Sequence, residues 1–263
     1  PAPPNLIPAS RTLDSLYRTT FTVPPHEIDF SNRLKISALF NAIQTTAADH
    51  AEGLDLGYKA LHPAGLFWVL SWVRLEIERL PRYQDTITAE TWPHRRYRIF
   101  SLRDFLFLDE QEQVYARARS AWLLINANSR RVTSLDNLPH PVHYLEERSA
   151  LESMPDKIHT MSDGELLLEK EIRYSDLDLN QHTNNARYVE FMLDGYSEEF
   201  HRRHRMQSLT FFFRSESRCG DRLLLHRYIE PERPSRHHLR AVKAGEDEKT
   251  VFQAVIDWLD DII

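Results

Sequence analysis

The sequence predicts an α+β fold built from two similar halves, each an antiparallel sheet wrapped on one long helix. Two stretches carry apolar residues at three- and four-residue spacing, as a helix with one buried face requires. Each is followed by four segments rich in β-branched and aromatic residues. The connections between those segments are short, whereas parallel strands would each need a crossover of about a dozen residues or more, so the pairing is antiparallel.

The first helix is carried by Ile36, Leu39, Phe40, Ile43 and Ala47, and Gly53 and Gly57 stand where it should end. Strands follow over 66–78, 85–93, 99–108 and 114–126. From 128 to 164, Pro139, Pro141 and Pro155 lie among polar residues, which reads as a linker. The second helix is carried by Tyr188, Phe191, Met192, Tyr196 and Phe200 and is closed by the polar run from His201 to Arg205. Its strands span 209–214, 221–229, 237–244 and 250–259.

The repeated order of one helix and four strands suggests an internal duplication, and a fixed offset tests it. Adding 149 places Asp29 on Asp178, Ser31 on Asn180, Arg33 on His182, Leu39 on Tyr188, Phe40 on Val189 and Ile43 on Met192. The helix faces coincide. Further along, Arg82-Tyr83-Gln84-Asp85 corresponds to Arg218-Cys219-Gly220-Asp221 at an offset of 136, so the second copy is shorter between helix and turn. The two copies are expected to associate as a pseudo-dimer.

The 263 residues are 41% hydrophobic, 27% charged and 11% aromatic, the composition of a folded globular chain. No apolar run approaches the ~18 residues a membrane-spanning helix needs. A net charge of -6 supplies no global field for nucleic acid or an anionic membrane, so an acidic partner must meet a local basic patch. The lone Cys219 makes no internal disulfide and the opening PAPPNLIPAS shows no signal peptide, so a cytoplasmic location is expected. Neither G-x-G nor G-x-S-x-G occurs, which removes dinucleotide-binding and nucleophile-elbow readings.

The densest polar cluster runs from Arg173 to Asn185, at the entry to the second helix. Helix entries carry Asp, Asn or Ser as caps, but one such residue suffices for capping. The spacing of Asp176, Asp178 and Asn180 imitates a calcium loop, yet Gln181 and Arg187 occupy the positions that need Gly and Glu, so no metal is expected. Asp178, Asn180 and His182 alternate, and in an extended segment all three would face one side. A carboxylate, an amide and an imidazole together suit hydrolysis near neutral pH without a cofactor. The first copy keeps Asp29 but has Ser31 and Arg33, so only the second copy reads as active.

The cluster resembles the acyl-acyl-carrier-protein thioesterases of plants and bacteria, whose D-x-N-x-H-x-N-N-x-x-Y motif is matched from Asp178 to Tyr188. The resemblance extends to Leu66-Phe67-Trp68-Val69, to 79–92, to 116–131 with Ser120, Trp122 and the Arg130-Arg131 pair, and to 208–221. It implies a tandem hot-dog fold: a non-catalytic copy over 1–135 holding the acyl tunnel, a linker over 136–164 and a catalytic copy over 165–263. It further implies catalytic Asp178, Asn180 and His182, joined by Glu216 on the following strand. Plant members have Cys directly after that Glu; Ser217 stands here, so a cysteine mechanism is not expected, and Cys219 reads as an ordinary turn residue.

The expected reaction is hydrolysis of long-chain acyl-carrier-protein thioesters to free fatty acid, by water that His182 activates or by direct attack of Asp178. Backbone N–H groups near Asn184 and Asn185 are expected to hold the oxyanion. Phe40 and Trp68 are expected to line the acyl tunnel, and Arg95, Arg96 and Arg98 to dock the acidic carrier protein. An acyl-CoA thioesterase and a non-catalytic acyl-binding module are the rival readings, and a homodimer is left open. His237 and His238, with no second pair at zinc spacing, read as solvent-exposed.

Overall fold

The computed structural model describes residues 15–155, 164–245 and 249–260. The first copy comprises β1 (Tyr17–Thr22), α1 (Ile36–Gly53), the short α2 (Tyr58–Leu61), β2 (Leu66–Ile77), β3 (Thr86–Tyr97), β4 (Phe100–Leu108), β5 (Val114–Asn126) and the two-residue β6 (Arg131–Val132). The second comprises β7 (Glu165–Glu171), α3 (Asn185–Asp194), α4 (Glu198–Arg203), β8 (His204–Phe213), β9 (Arg222–Glu230), β10 (Arg233–Lys243) and β11 (Thr250–Asp260).

The two sheets expected from the sequence meet edge to edge. One sheet runs β1-β3-β4-β5-β2-β8-β11-β10-β9-β7, with β6 attached to β5, so the order reverses across a seam between β2 and β8. There Val73 faces Phe211 and Leu75 faces Leu209, in antiparallel register. Each half also begins with a strand ahead of its helix, β1 and β7, which close the two ends.

The apolar faces of both helices share one core. Phe40 of α1 meets Phe211 of β8 edge-on at 5.9 Å, and Tyr188 of α3 lies 5.6 Å from Phe252 of β11. Asn185 at the start of α3 donates to Gln44 of α1 at 2.9 Å. The single helix expected from Tyr188 to Phe200 is broken at 195–197, because Ser197 accepts from the Phe200 N–H and caps a new helix, α4.

The segment after β6 lies against the first copy. Asp104 and Arg119, both fully buried, pair through two bonds of 2.6 and 2.8 Å. The same carboxylate accepts from the Ala150 N–H at 2.8 Å, and Trp92 donates to the Arg148 carbonyl at 2.9 Å. His237 and His238 are 4% and 9% exposed, not surface residues. β10 lies between β9 and β11, where Tyr196 bonds His237 at 2.9 Å and Glu230 bonds His238 at 2.5 Å.

Candidate active site

The segment holding Asp178, Asn180 and His182 is a closed loop instead of an extended one. Leu177 and Thr183 form a bridge across its base, and the Asp178 N–H donates to the His182 carbonyl at 2.8 Å. Asp178 Oδ1 accepts the N–H groups of Asn180 and His182 at 2.8 and 3.1 Å. Gln181 takes φ 61, the left-handed conformation that lets the chain reverse. The alternation expected of an extended segment is therefore absent: Asp178 Oδ1 turns onto its own backbone, and Asn180 is exposed.

His182 instead meets the turn between β8 and β9. Its Nε2 lies 3.1 Å from Glu216 Oε2 and 3.3 Å from Arg218 Nη2. The imidazole is largely covered, at 14% exposure, while Glu216 is half-exposed. When Nε2 carries hydrogen it donates to Glu216; when it does not, it accepts from Arg218. Arg130, in the turn after β5 of the first copy, reaches Glu216 at 3.5 Å, so both copies contribute. In the sequence Arg130 stands out only within a resembling Arg-Arg pair and Arg218 only in the repeated turn, and neither is expected at the site, because both lie outside the helix-entry motif.

Behind the loop, Asp176 is buried and accepts from the Arg173 N–H at 2.9 Å and from Arg187 at 3.0 and 2.8 Å. Burial pushes this carboxyl up, but those bonds and Lys170 outweigh it and hold it below the usual range. Its backbone carbonyl accepts the Asn184 N–H at 2.9 Å, so that amide is not available for an oxyanion. Asn184 caps α3 by accepting from the Ala186 N–H at 2.8 Å. Asn185, the first residue of α3, has no intrahelical acceptor for its N–H.

The other expected ligand-binding residues lie apart. Phe40 is sealed in the core. Trp68 is half-buried, packs on a separate cluster of Leu61, Leu66, Leu124 and Leu135, and donates to the Leu56 carbonyl at 2.9 Å. Arg96 pairs with Asp136 through bonds of 2.6 and 3.3 Å, so its charge is matched and it is not a free docking group. Those bonds pull the Asp136 carboxyl down to about 2. Arg95 and Arg98 lean on Tyr97. Cys219 is exposed in its turn. Among the described residues no group of three or more His, Cys, Asp or Glu side chains is placed to hold a metal ion.

The first copy repeats the scaffold without the chemistry. Asp29 Oδ1 accepts from Ser31 and Arg33 N–H groups at 2.8 and 3.0 Å, and Asn32 takes φ 57. The turn Arg82 to Asp85 is closed by an Arg82 N–H bond to Asp85 at 2.8 Å, as Arg218 N–H bonds Asp221 at 2.8 Å. Where the second copy has His182 and Glu216, the first has Arg33 and Leu80.

The family description "Acyl-ACP thioesterase N-terminal domain" matches residues 14–137, and its C-terminal counterpart matches 161–260. An oleoyl-acyl carrier protein thioesterase of Arabidopsis thaliana is 26% identical over 227 residues, covering 78% of this chain and 60% of that protein. One from Coriandrum sativum is 27% identical over 233 residues, covering 81% and 62%. The chain thus spans under two thirds of the length of these plant relatives. A crystal structure of an acyl-ACP thioesterase from Bacteroides thetaiotaomicron superposes with a TM-score of 0.84 at 26% identity, covering 93% of this chain and 98% of that one. The 12:0-ACP thioesterase of Umbellularia californica shares the fold, with a TM-score of 0.74 at 23% identity over 94% and 98%.

Proposed function

The chain belongs to the acyl-ACP thioesterase family, and from that membership and the contact between the His182 imidazole and the Glu216 carboxylate we propose that it hydrolyses acyl-carrier-protein thioesters to free fatty acid. The contact between His182 and Glu216 carries the reading, because the first copy keeps the loop and turn but lacks both side chains.

Glu216 accepts hydrogen from His182 Nε2, which leaves Nδ1 with its lone pair as the base. That nitrogen takes a proton from water as the water attacks the thioester carbonyl, and the imidazolium then returns it to the departing sulfur. The Asn185 N–H, at the positive end of α3, is the backbone donor suited to the developing oxyanion. Direct attack by Asp178 is less favoured, since Oδ1 already holds two amides of its own loop. Trp68, half-buried beside an apolar cluster, is better placed than the sealed Phe40 to line an acyl path.

The test is release of free fatty acid from acyl-carrier-protein substrates of several chain lengths, with the matching CoA thioesters as comparison. His182→Ala should lose about 10²-fold or more in kcat, the usual size of a general-base contribution. Faster turnover of CoA thioesters than of carrier-protein thioesters would redirect the reading to an acyl-CoA thioesterase. Binding without turnover in the unaltered protein would make it an acyl-binding module.

A further inference from the structure

Three hydroxyl-bearing residues are buried directly behind His182 and Glu216. Ser217 Oγ lies 2.7 Å from Thr183 Oγ1 and 2.8 Å from the Tyr188 hydroxyl. The Ser217 N–H donates to the Tyr188 oxygen at 3.0 Å, and the Thr183 N–H and hydroxyl reach the Ser217 carbonyl at 2.9 and 3.2 Å. None of the three residues is more than 4% exposed. One orientation satisfies every donor: Tyr188 O–H to Ser217 Oγ, Ser217 O–H to Thr183 Oγ1, and Thr183 O–H to the Ser217 carbonyl.

The fold does not need these hydroxyls. At the corresponding positions the first copy has Leu34, Leu39 and Pro81, and it keeps only the backbone bond from Leu34 N–H to the Pro81 carbonyl, at 2.8 Å. Buried polar groups are costly unless fully bonded, so a scaffold that closes with hydrocarbon gains nothing in stability from replacing it. What differs between the copies is the chemistry next door. Thr183 follows His182 in the chain, and Ser217 follows Glu216.

We propose that Ser217, Thr183 and Tyr188 are positioning residues, a hydroxyl ring that locks the strand bearing Glu216 to the loop bearing His182. The proposal rests on the hydrolytic reading above. Ser217 itself is no nucleophile: its Oγ is sealed and meets hydroxyls instead of an imidazole.

The test compares Ser217→Ala, Thr183→Val and Tyr188→Phe with Thr183→Ser, which keeps its hydroxyl. The first three should lower kcat about 10- to 100-fold with little change in KM, the range expected when reacting groups are displaced by about 1 Å. Thr183→Ser should retain kcat within about threefold of the unaltered protein, since hydroxyl bonding survives. In a Glu216→Gln background, Ser217→Ala should add less than about twofold, because both changes remove one interaction. A second readout needs no substrate: the ring resonance of His182 should be broader or split in the three deletion variants when compared with the unaltered protein. If the unaltered protein hydrolyses no carrier-protein thioester, the proposed function fails while this resonance still tests the ring. An unchanged His182 line in Ser217→Ala, or a loss that is fully additive with Glu216→Gln, would overturn the proposal.

Discussion

Asp178 and Asp29 close the same loop in the two copies, each with one carboxylate oxygen accepting two amides of its own chain at 2.8 to 3.1 Å. A residue that performs identically in the copy lacking His and Glu is first of all a structural residue. Asp178→Asn, whose amide oxygen can still accept both bonds, should therefore keep more than about a tenth of the rate, above what loss of a nucleophile or general base would leave. Fatty acid release by this variant decides between activated water and direct attack. Loss of about 10³-fold would restore Asp178 as the attacking group.

Arg96 is held by Asp136, so removing the acid should release the base. Asp136→Asn is expected to lower KM for a carrier-protein substrate and to steepen its dependence on salt, leaving a small neutral thioester unaffected. Identical KM values for both proteins across a salt series would remove this cluster from the docking surface.

The Asp104–Arg119 pair ties the segment at 148–151 to β4 and β5. Arg119→Met leaves a buried carboxylate without its partner and should cost about 3–5 kcal/mol in urea unfolding. The double variant Asp104→Leu/Arg119→Met should recover part of that loss. A single variant as stable as the parent would show that water reaches this site.

Burial, more than the neighbouring Arg227, pushes the His237 imidazole from 6.5 down to about 4. The folded chain therefore keeps His237 neutral through a range in which the unfolded chain takes up a proton, and stability falls as pH drops from 6.5 toward 4. The contribution is about 2–3 kcal/mol, complete near the lower limit. His237→Gln should flatten the loss between pH 7 and 4.5 by that amount in denaturant titrations; parallel curves for the two proteins would contradict it.

Much of this was legible in the sequence. Apolar spacing placed α1 from Ile36 and the Gly53 stop, because one helix face is fully buried. The duplication singled out His182 by showing Arg33 in its place. Glu216 came only from family resemblance, since its partnership with His182 spans a loop and a turn far apart in the chain. β1 and β7 escaped because edge strands with one solvated face carry a weak apolar signal, as in Tyr17–Thr22 and Glu165–Glu171. Alternation was misread at Asp178: hydrogen bonds from a side chain to its own backbone turned a strand-like spacing into a loop. The burial of His238 depends on Glu230, eight residues away on the paired strand, which no local pattern reveals.

The seam between β2 and β8 has a consequence for counting. A symmetric assembly of two identical chains must carry any site twice, because whatever change alters one socket alters both. Here the same twofold pattern is written into one polypeptide, so the two sockets are free to differ: one holds Arg33 and Leu80, the other His182 and Glu216. An active-site titrant should accordingly reach saturation at one equivalent per chain, half of what the scaffold's symmetry alone would suggest.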